Sequence, residues 1–240
     1  MDVQPTVTDM QTMCEEFMHR ARYAKTEMCK DEPMSDNPPI LLIGFVSESG
    51  DDAHEDALEF QNEFSTSKPY RIALLPLTHR DDPFDAMNDV VKHLPHEPFS
   101  FIAFAAEAFA RQADANSLPD HVRSDYSYED MATEYKENPF TDIRETLIVT
   151  AVDWNCEHLY TMHAPYSYDD NGVPKFDDNT SAFVPLGGVE KLREMSEELE
   201  MGRVPSMLTA FVMFMHYATE ATKFTDKLQN APKRNNGDKE

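Results

Sequence analysis

The chain is poor in cysteine and in glycine, and both shortages exclude classes of protein. Its three cysteines, Cys14, Cys29 and Cys156, are odd in number and widely spaced, which excludes a disulfide framework and a zinc knuckle. Seven glycines in 240 residues form no P-loop, no Rossmann glycine run and no Gly-x-Ser-x-Gly nucleophile turn. We therefore expect a protein of a reducing compartment, with no cofactor.

Basic residues and long apolar runs are also scarce. The chain has 21 Lys and Arg against 45 Asp and Glu, and its formal net charge of −24 repels nucleic acids and anionic lipids. The longest apolar run, 207–218, contains Thr209 and His216 and is too short to cross a bilayer. The first ten residues lack the basic and apolar segments of a signal peptide. We expect a cytoplasmic protein with no nucleic-acid and no membrane partner.

Hydrophobic patterning predicts helices at both ends of the chain and strands between them. Apolar residues at helical spacing indicate an N-terminal helix over 8–29, a middle helix opened by Asp82-Pro83, and two C-terminal helices over 189–201 and 205–228. Branched and aromatic runs indicate strands at 40–46, 71–77, 99–109 and 144–152, extended by 157–166 and 176–184. This order predicts an α+β fold, in which these helices pack on a mixed sheet of about five strands.

One strand and the domain limits need comment. Residues 99–111 begin with aromatic and branched side chains but end in alanines, so a helix is the alternative to the strand. No linker separates two cores, so we expect a single domain over 1–228. The acidic, aperiodic stretch 114–138 predicts a polar excursion, and 229–240 predicts a disordered tail.

Glu107 is the acidic residue that stands in the most apolar surroundings. On a strand it shares a face with Arg111, and on a helix it lies four residues from it, so either geometry brings an acid near a base. A buried Glu can act as a general acid or base, although a structural ion pair is the commoner result. Arg144 and Glu145 begin the next strand and can join the pair. The predicted polar site is therefore Glu107, Arg111, Arg144 and Glu145.

The tetrad Ala106-Glu107-Ala108-Phe109, which ends an apolar strand, resembles a Ser-Glu-Ala-Trp strand of uncharacterised phage and bacterial proteins. In those proteins an irregular excursion leads to an Arg-Glu step into a second apolar strand, and 144–149 is similar to that step. The resemblance covers roughly residues 70 to 165, with Ala106 and Phe109 in place of Ser and Trp. It implies a phage or prokaryotic origin and a central Glu-bearing strand, and it transfers no activity.

The segment 167–178 partly follows the spacing of a calcium-binding loop. Asp169, Asn171 and Asp178 fall at its third, fifth and twelfth positions. A bidentate Glu is missing and the flanks read as strands, so the Asp-Asn-Gly core favours a hairpin turn, with divalent-cation binding as the alternative.

The histidines give two further hypotheses. His158 and His163 are five residues apart, so on a strand they face opposite ways and do not share a metal. Cys156 lies near His158, which leaves a buried Cys or a Cys–His nucleophile pair.

Three functions follow from these observations. The first is a non-enzymatic accessory or interaction protein, phage-encoded, whose partner is another protein. The second is an acidic mimic of nucleic acid that inhibits a DNA-processing or defence enzyme, since acidic residues concentrate in 48–63 and 114–142. The third is an enzyme that uses the Glu107 cluster.

Overall fold

The computed structural model describes residues 5–36, 38–46, 70–76, 99–111, 133, 136–137, 143–194 and 203–229. The helices are α1 (Val7–Asp31), α2 (Val189–Glu194) and α3 (Arg203–Gln229). The strands are β1 (Ile40–Val46), β2 (Tyr70–Pro76), β3 (Phe101–Arg111), β4 (Ile143–Asp153), β5 (His158–Tyr168), β6 (Pro174–Phe176) and β7 (Thr180–Pro185). Among the described helices, none has the length and apolar character needed to span a bilayer.

The seven described strands form one sheet in the order β2-β1-β3-β4-β5-β6, and β7 pairs with β5 beside β6. The predicted α+β class is confirmed. The prediction of a mixed sheet of about five strands is wrong in two details, because the described residues contain seven strands and every pairing among them is antiparallel. The short connections after β4 and β5 explain this, since a tight turn joins only antiparallel neighbours.

Several predictions lie outside the described residues. The middle helix at 82–95 is one, and almost all of the polar excursion and of the tail are others. Residues 99–111, for which a helix was the alternative, contain a strand that continues to Arg111. Pairing on both sides explains this result, because β3 lies between β1 and β4 and pairs with β4 over its whole length.

Helix α1 begins with a capping box. The Thr6 hydroxyl accepts a hydrogen bond from the Asp9 N–H at 3.1 Å, and the Asp9 carboxylate accepts one from the Thr6 N–H at 3.1 Å. The apolar stripe of the helix is buried against the sheet. Its members are Met10, Met13, Cys14, Phe17 and Met18.

The sheet is covered on both faces, which we call the α1 face and the α3 face after the helix that packs on each. Side chains alternate along each strand, so Leu42 joins the core under α1 while Leu41 joins the core under α3. The α3 core also contains Leu208, Phe211 and Met215. Covering on both faces explains why the central strands read as nearly continuous apolar runs.

A histidine of α3 contacts the turn that follows β4. The Nε2 of His216 lies 2.6 Å from the carbonyl oxygen of Trp154, and the two rings stack with centroids 4.1 Å apart. Trp154 follows β4 and packs edge-on against Phe99 at 4.6 Å. The aromatic stack therefore connects α3 to the turn between β4 and β5.

That turn is organised by the buried carboxylate of Asp153. Its two oxygens accept hydrogen bonds from the N–H groups of Glu157 at 3.1 Å and His158 at 2.6 Å. Cys156 takes a left-handed conformation in the turn, with φ of 54°. Burial raises the pKa of Asp153, and the two backbone hydrogen bonds oppose that rise.

The outer edge of β5 is paired by β6 and then by β7, with a bulge between them. Phe176 of β6 pairs with Tyr166, and Thr180 of β7 pairs with His163. The outer strand thus advances four residues where β5 advances three. One extra residue stands between β6 and β7, which is the definition of a β-bulge.

Candidate functional site

Lys25 on α1 and Glu107 on β3 form an ion pair between the helix and the sheet. The Lys25 Nζ lies 2.7 Å from the Glu107 Oε2, and it also donates to the Ser35 carbonyl oxygen at 2.6 Å. The Lys25 side chain is 0% exposed and that of Glu107 is 12% exposed. Glu107 thus contacts a base that lies on a helix far away in the sequence.

Two tyrosines of β5 surround this pair. The Tyr166 hydroxyl donates to the Glu107 Oε2 at 2.9 Å. The Lys25 Nζ lies 5.3 Å from the ring centroid of Tyr166 and 5.4 Å from that of Tyr168, which is within cation–π range. We refer to Lys25, Glu107, Glu145, Tyr166 and Tyr168 as the Lys25 cluster.

The electrostatics of the Lys25 cluster reflect burial and pairing. Burial acts to lower the pKa of Lys25, but its hydrogen bonds to Glu107 and Tyr168 outweigh burial and the net shift is upward. Burial also raises the pKa of Tyr166, and the Glu107 carboxylate raises it further. Burial raises the pKa of Glu145, against the opposing effects of Tyr166 and Lys25.

The shifts of Lys25 and Tyr166 are opposite to those that a nucleophile or a base requires, whereas the raised pKa of Glu145 is in the direction that a general acid uses. A nucleophilic lysine needs a lowered pKa, and a tyrosine that removes a proton near neutral pH also needs one. In the Lys25 cluster both groups keep their protons more strongly, and the Lys25 side chain is closed to solvent. The geometry therefore favours a structural connection between α1 and β3, as expected for a buried ion pair.

The structure brings together two of the four predicted polar residues. Glu145 lies in the Lys25 cluster with Glu107, whereas its neighbour Arg144 lies on the α3 face because strand residues alternate. Arg111 ends β3 opposite Ile143, and its side chain lies outside the described part of the structure. The predicted set thus divides between the two faces of the sheet.

Arg144 lines a cavity of about 330 Å³ on the α3 face. We name this cavity the threonine cleft. Its described lining comes from four strands, and it includes Arg144, Thr146, Thr161, His163, Thr180 and Ala182.

Threonine hydroxyls of β4 and β5 form hydrogen bonds in the threonine cleft and beside it. The Thr150 and Thr161 hydroxyls are 2.9 Å apart, and the Thr161 hydroxyl lies 3.3 Å from the His163 Nε2. The Thr146 hydroxyl donates to the Leu147 carbonyl oxygen at 3.2 Å. Burial lowers the pKa of His163, so its imidazole is neutral at pH 7.

The calcium-like segment forms the predicted hairpin turn between β5 and β6. The Asp169 Oδ1 accepts hydrogen bonds from the N–H groups of Asn171 and Val173, each at 2.9 Å. Gly172 takes φ of 74°, which suits a glycine. In the described residues, no group of three or more His, Cys, Asp or Glu side chains is arranged to hold a metal ion.

The histidine predictions agree with the strand geometry. His163 lines the threonine cleft, whereas His158 packs on Phe183 with ring centroids 5.1 Å apart, so the two face opposite ways. Cys156 is fully buried, and burial raises its pKa to about 12. A thiol with this pKa is a buried apolar group, and the nucleophile hypothesis gains no support.

Strand β7 forms an uncharged edge of the sheet. Its sequence is Thr-Ser-Ala-Phe-Val-Pro, and among the described strands it pairs with β5 alone. Five of its six residues are exposed, and the Phe183 side chain is 40% exposed. Natural proteins usually protect such an edge with charges or bulges, because its free backbone groups can pair with another chain.

Comparison of the chain with protein-family models, curated proteins and solved structures finds no match.

Sequence reasoning missed Lys25, although a signal for it was present. Lys25 continues the apolar stripe of α1 at a position seven residues after Met18, where a charged residue is unusual. A lysine on the buried side of a helix predicts a buried acidic partner. The tyrosines had no comparable signal, because Tyr166 and Tyr168 fit any strand pattern.

Proposed function

We propose that this protein is a non-enzymatic interaction protein that binds a segment of a partner protein along the edge of β7. The observation that carries the proposal is the exposed, uncharged edge of this strand. In strand addition, backbone hydrogen bonds provide affinity and pockets for alternate side chains provide specificity.

The backbone directions of β7 follow from its pairing with β5. The Leu186 N–H donates to the Glu157 carbonyl oxygen at 2.8 Å, so residue 186 faces β5. The direction of the backbone N–H and C=O groups alternates along an antiparallel strand. The backbone groups of 184 and 182 therefore also point towards β5, while those of Phe183 and Ser181 point outward. Pro185, which has no N–H, falls at an outward position, where edge strands tolerate proline.

Charge limits the kind of partner segment. The chain carries a net charge of −24, and the exposed Asp177 and Asp178 directly precede β7. An acidic segment would be repelled, so we expect a neutral or basic one. Its binding should weaken as salt is added, because these carboxylates are solvent-exposed.

The test compares two substitutions at Ser181. Ser181→Pro removes the outward N–H, whereas Ser181→Ala removes only the hydroxyl and is the matched control. Tagged protein with a photoreactive phenylalanine at position 183 is used to capture the partner from native cells. We expect crosslinking with the wild-type background and with Ser181→Ala, and no crosslinking with Ser181→Pro. The two Ser181 variants should have equal urea midpoints, so that the loss of crosslinking is not explained by unfolding. Equal crosslinking by Ser181→Pro would contradict the proposal.

The other functions remain predictions, and the observations support them to different degrees. The acidic mimic rests on 48–63 and 114–142, which lie almost wholly outside the described residues. The enzyme hypothesis is weakened by the burial of Lys25 and by its raised pKa, whereas the raised pKa of Glu145 is compatible with a general-acid role. The phage or prokaryotic origin rests on the resemblance of the 106–109 tetrad and of the 144–149 step, and it stays a prediction.

A further inference from the structure

The threonine cleft is a second candidate site. It concerns a different kind of ligand from the edge of β7. We propose that it binds a small organic carboxylate with a flat apolar body, comparable in size to benzoate, whose carboxylate contacts Arg144. This proposal goes beyond the proposed function because it concerns a small molecule.

Size is the first support. The volume of about 330 Å³ lies at the lower end of the range of small-molecule sites, about 300–1,000 Å³. The cleft therefore suits a ligand of one ring or a short chain.

The surface of the cleft is the second support. Ala110, Pro165 and Ala182 contribute only carbon side chains, and the threonines contribute methyl groups beside their hydroxyls. Pairing in register brings Ala110 beside Arg144 and Ala182 beside Thr161. A flat apolar body can lie on such small side chains without displacing them, which is the usual composition of a ligand pocket.

Charge is the third support. Arg144 is the only ionised side chain among the described lining residues, in a chain whose net charge is −24. The Arg144 Nη1 donates a hydrogen bond to the Ile143 carbonyl oxygen at 3.0 Å. A guanidinium has five N–H donors, so it can bind a planar carboxylate in addition to such contacts. His163 and the Thr161 hydroxyl offer further hydrogen bonds from uncharged groups.

The experiment uses benzoate and benzamide as probes. The full chain is labelled with ¹³C at alanine and threonine methyl groups and titrated with each probe by NMR. Benzoate should shift the methyl groups of Ala110, Ala182 and Thr161 in a saturable way. Benzamide has nearly the same shape without the charge, and we expect its Kd to be tenfold higher or more, because the charge-assisted bonds are lost.

Two variants complete the test. Arg144 is exposed, so Arg144→Gln should fold normally, raise the Kd for benzoate tenfold or more and leave that for benzamide unchanged. Ala182→Leu fills the cleft and should weaken both probes. Non-saturable shifts spread over the protein, or equal benzoate binding by wild type and Arg144→Gln, would overturn the proposal. Partner capture by β7 is measured separately, so either proposal can fail without the other.

Discussion

Lys25 and Glu107 are 82 residues apart in the sequence, yet the Lys25 Nζ and the Glu107 Oε2 are 2.7 Å apart. This pair joins the first helix to a central strand of the sheet. The closure of so long a segment costs conformational entropy, which the packing of α1 on the sheet must offset. The pair connects α1 to the part of the sheet where Tyr166 and Tyr168 lie.

We expect Glu107→Gln to destabilise the protein strongly. The substitution removes the carboxylate that lies 2.7 Å from the buried Lys25 ammonium, and breaking such a buried pair typically costs about 3–5 kcal/mol. The Asp36 carboxylate, which is 3.6 Å away and 84% exposed, compensates only weakly because solvent screens it. The free energy of unfolding is measured by urea titration. Glu16→Gln, which breaks the surface pair with Arg20, is the control and should cost no more than about 0.5 kcal/mol.

A double substitution distinguishes a buried charge from a simple loss of packing. Lys25→Met combined with Glu107→Gln removes both charges and keeps an acceptor for the Tyr166 hydroxyl. We expect it to be more stable than Glu107→Gln alone, because the buried ammonium is removed together with its carboxylate partner. A double variant less stable than the single one would show that the ion pair is not the reason for the loss.

His163 should make stability depend on pH below its ordinary pKa of 6.5. Its pKa is lowered by burial, so the unfolded chain binds a proton that folded His163 does not. The contribution of His163 is present above pH 6.5 and is lost as pH falls towards the folded pKa. Urea titrations from pH 7.5 to pH 5 should show a shallower loss for His163→Gln than for wild type. A difference between the two that does not vary with pH would refute the buried, neutral state of His163.

Gly44 and Phe101 form a cross-strand pair that should not tolerate a larger residue. They are partners in the β1–β3 register, and a Cβ added at Gly44 would overlap with the Phe101 ring. We expect Gly44→Ala to cost about 1–3 kcal/mol, as overpacking in a core usually does. In a Phe101→Leu background, Gly44→Ala should cost less free energy of unfolding. If the costs of the two substitutions were strictly additive, the Phe101 ring would be excluded as the cause.

The three thiols should be unreactive in the folded protein. Cys14, Cys29 and Cys156 are all buried, and burial raises the pKa of Cys156 to about 12. Thiolates carry the reactivity, so we expect reaction with a chromogenic disulfide at pH 8 to be at least about a hundredfold slower than in urea. A rapid phase in the native protein would identify an accessible thiol and contradict the buried position of that cysteine.

Periodicity is sufficient to predict β1 to β5 and the terminal helices, because buried segments repeat their apolar residues at the spacing of the element. The single strand predicted at 176–184 is divided into β6 and β7 in the structure. β1 and β4 were recognised from apolar runs, and α1 from its methionine and cysteine stripe. Whether neighbouring strands are parallel or antiparallel was not predictable in the same way, because an apolar run is compatible with both directions. The mixed sheet was expected from alternating helices and strands, whereas turns such as that around Asp169 determine antiparallel pairing.

The candidate site was predictable only in part. A charge in an apolar strand is unusual, so the sequence singles out Glu107, but it offers Arg111 as a partner and gives no sign that Lys25 is one. Alternation explains why Arg144 and Glu145 are adjacent in the chain and lie on different faces. Lys25 could be connected to Glu107 only once the packing of α1 was known, since nothing in a single sequence links positions 82 residues apart.

The bulge between β6 and β7 limits how this molecule can associate with others. Residues 174–185 would otherwise present a continuous template along which identical chains could stack. The extra residue interrupts that template, so a segment that adds to this edge can pair in one register only along the six residues of β7. Identical chains that stack along 174–185 would meet the same interruption.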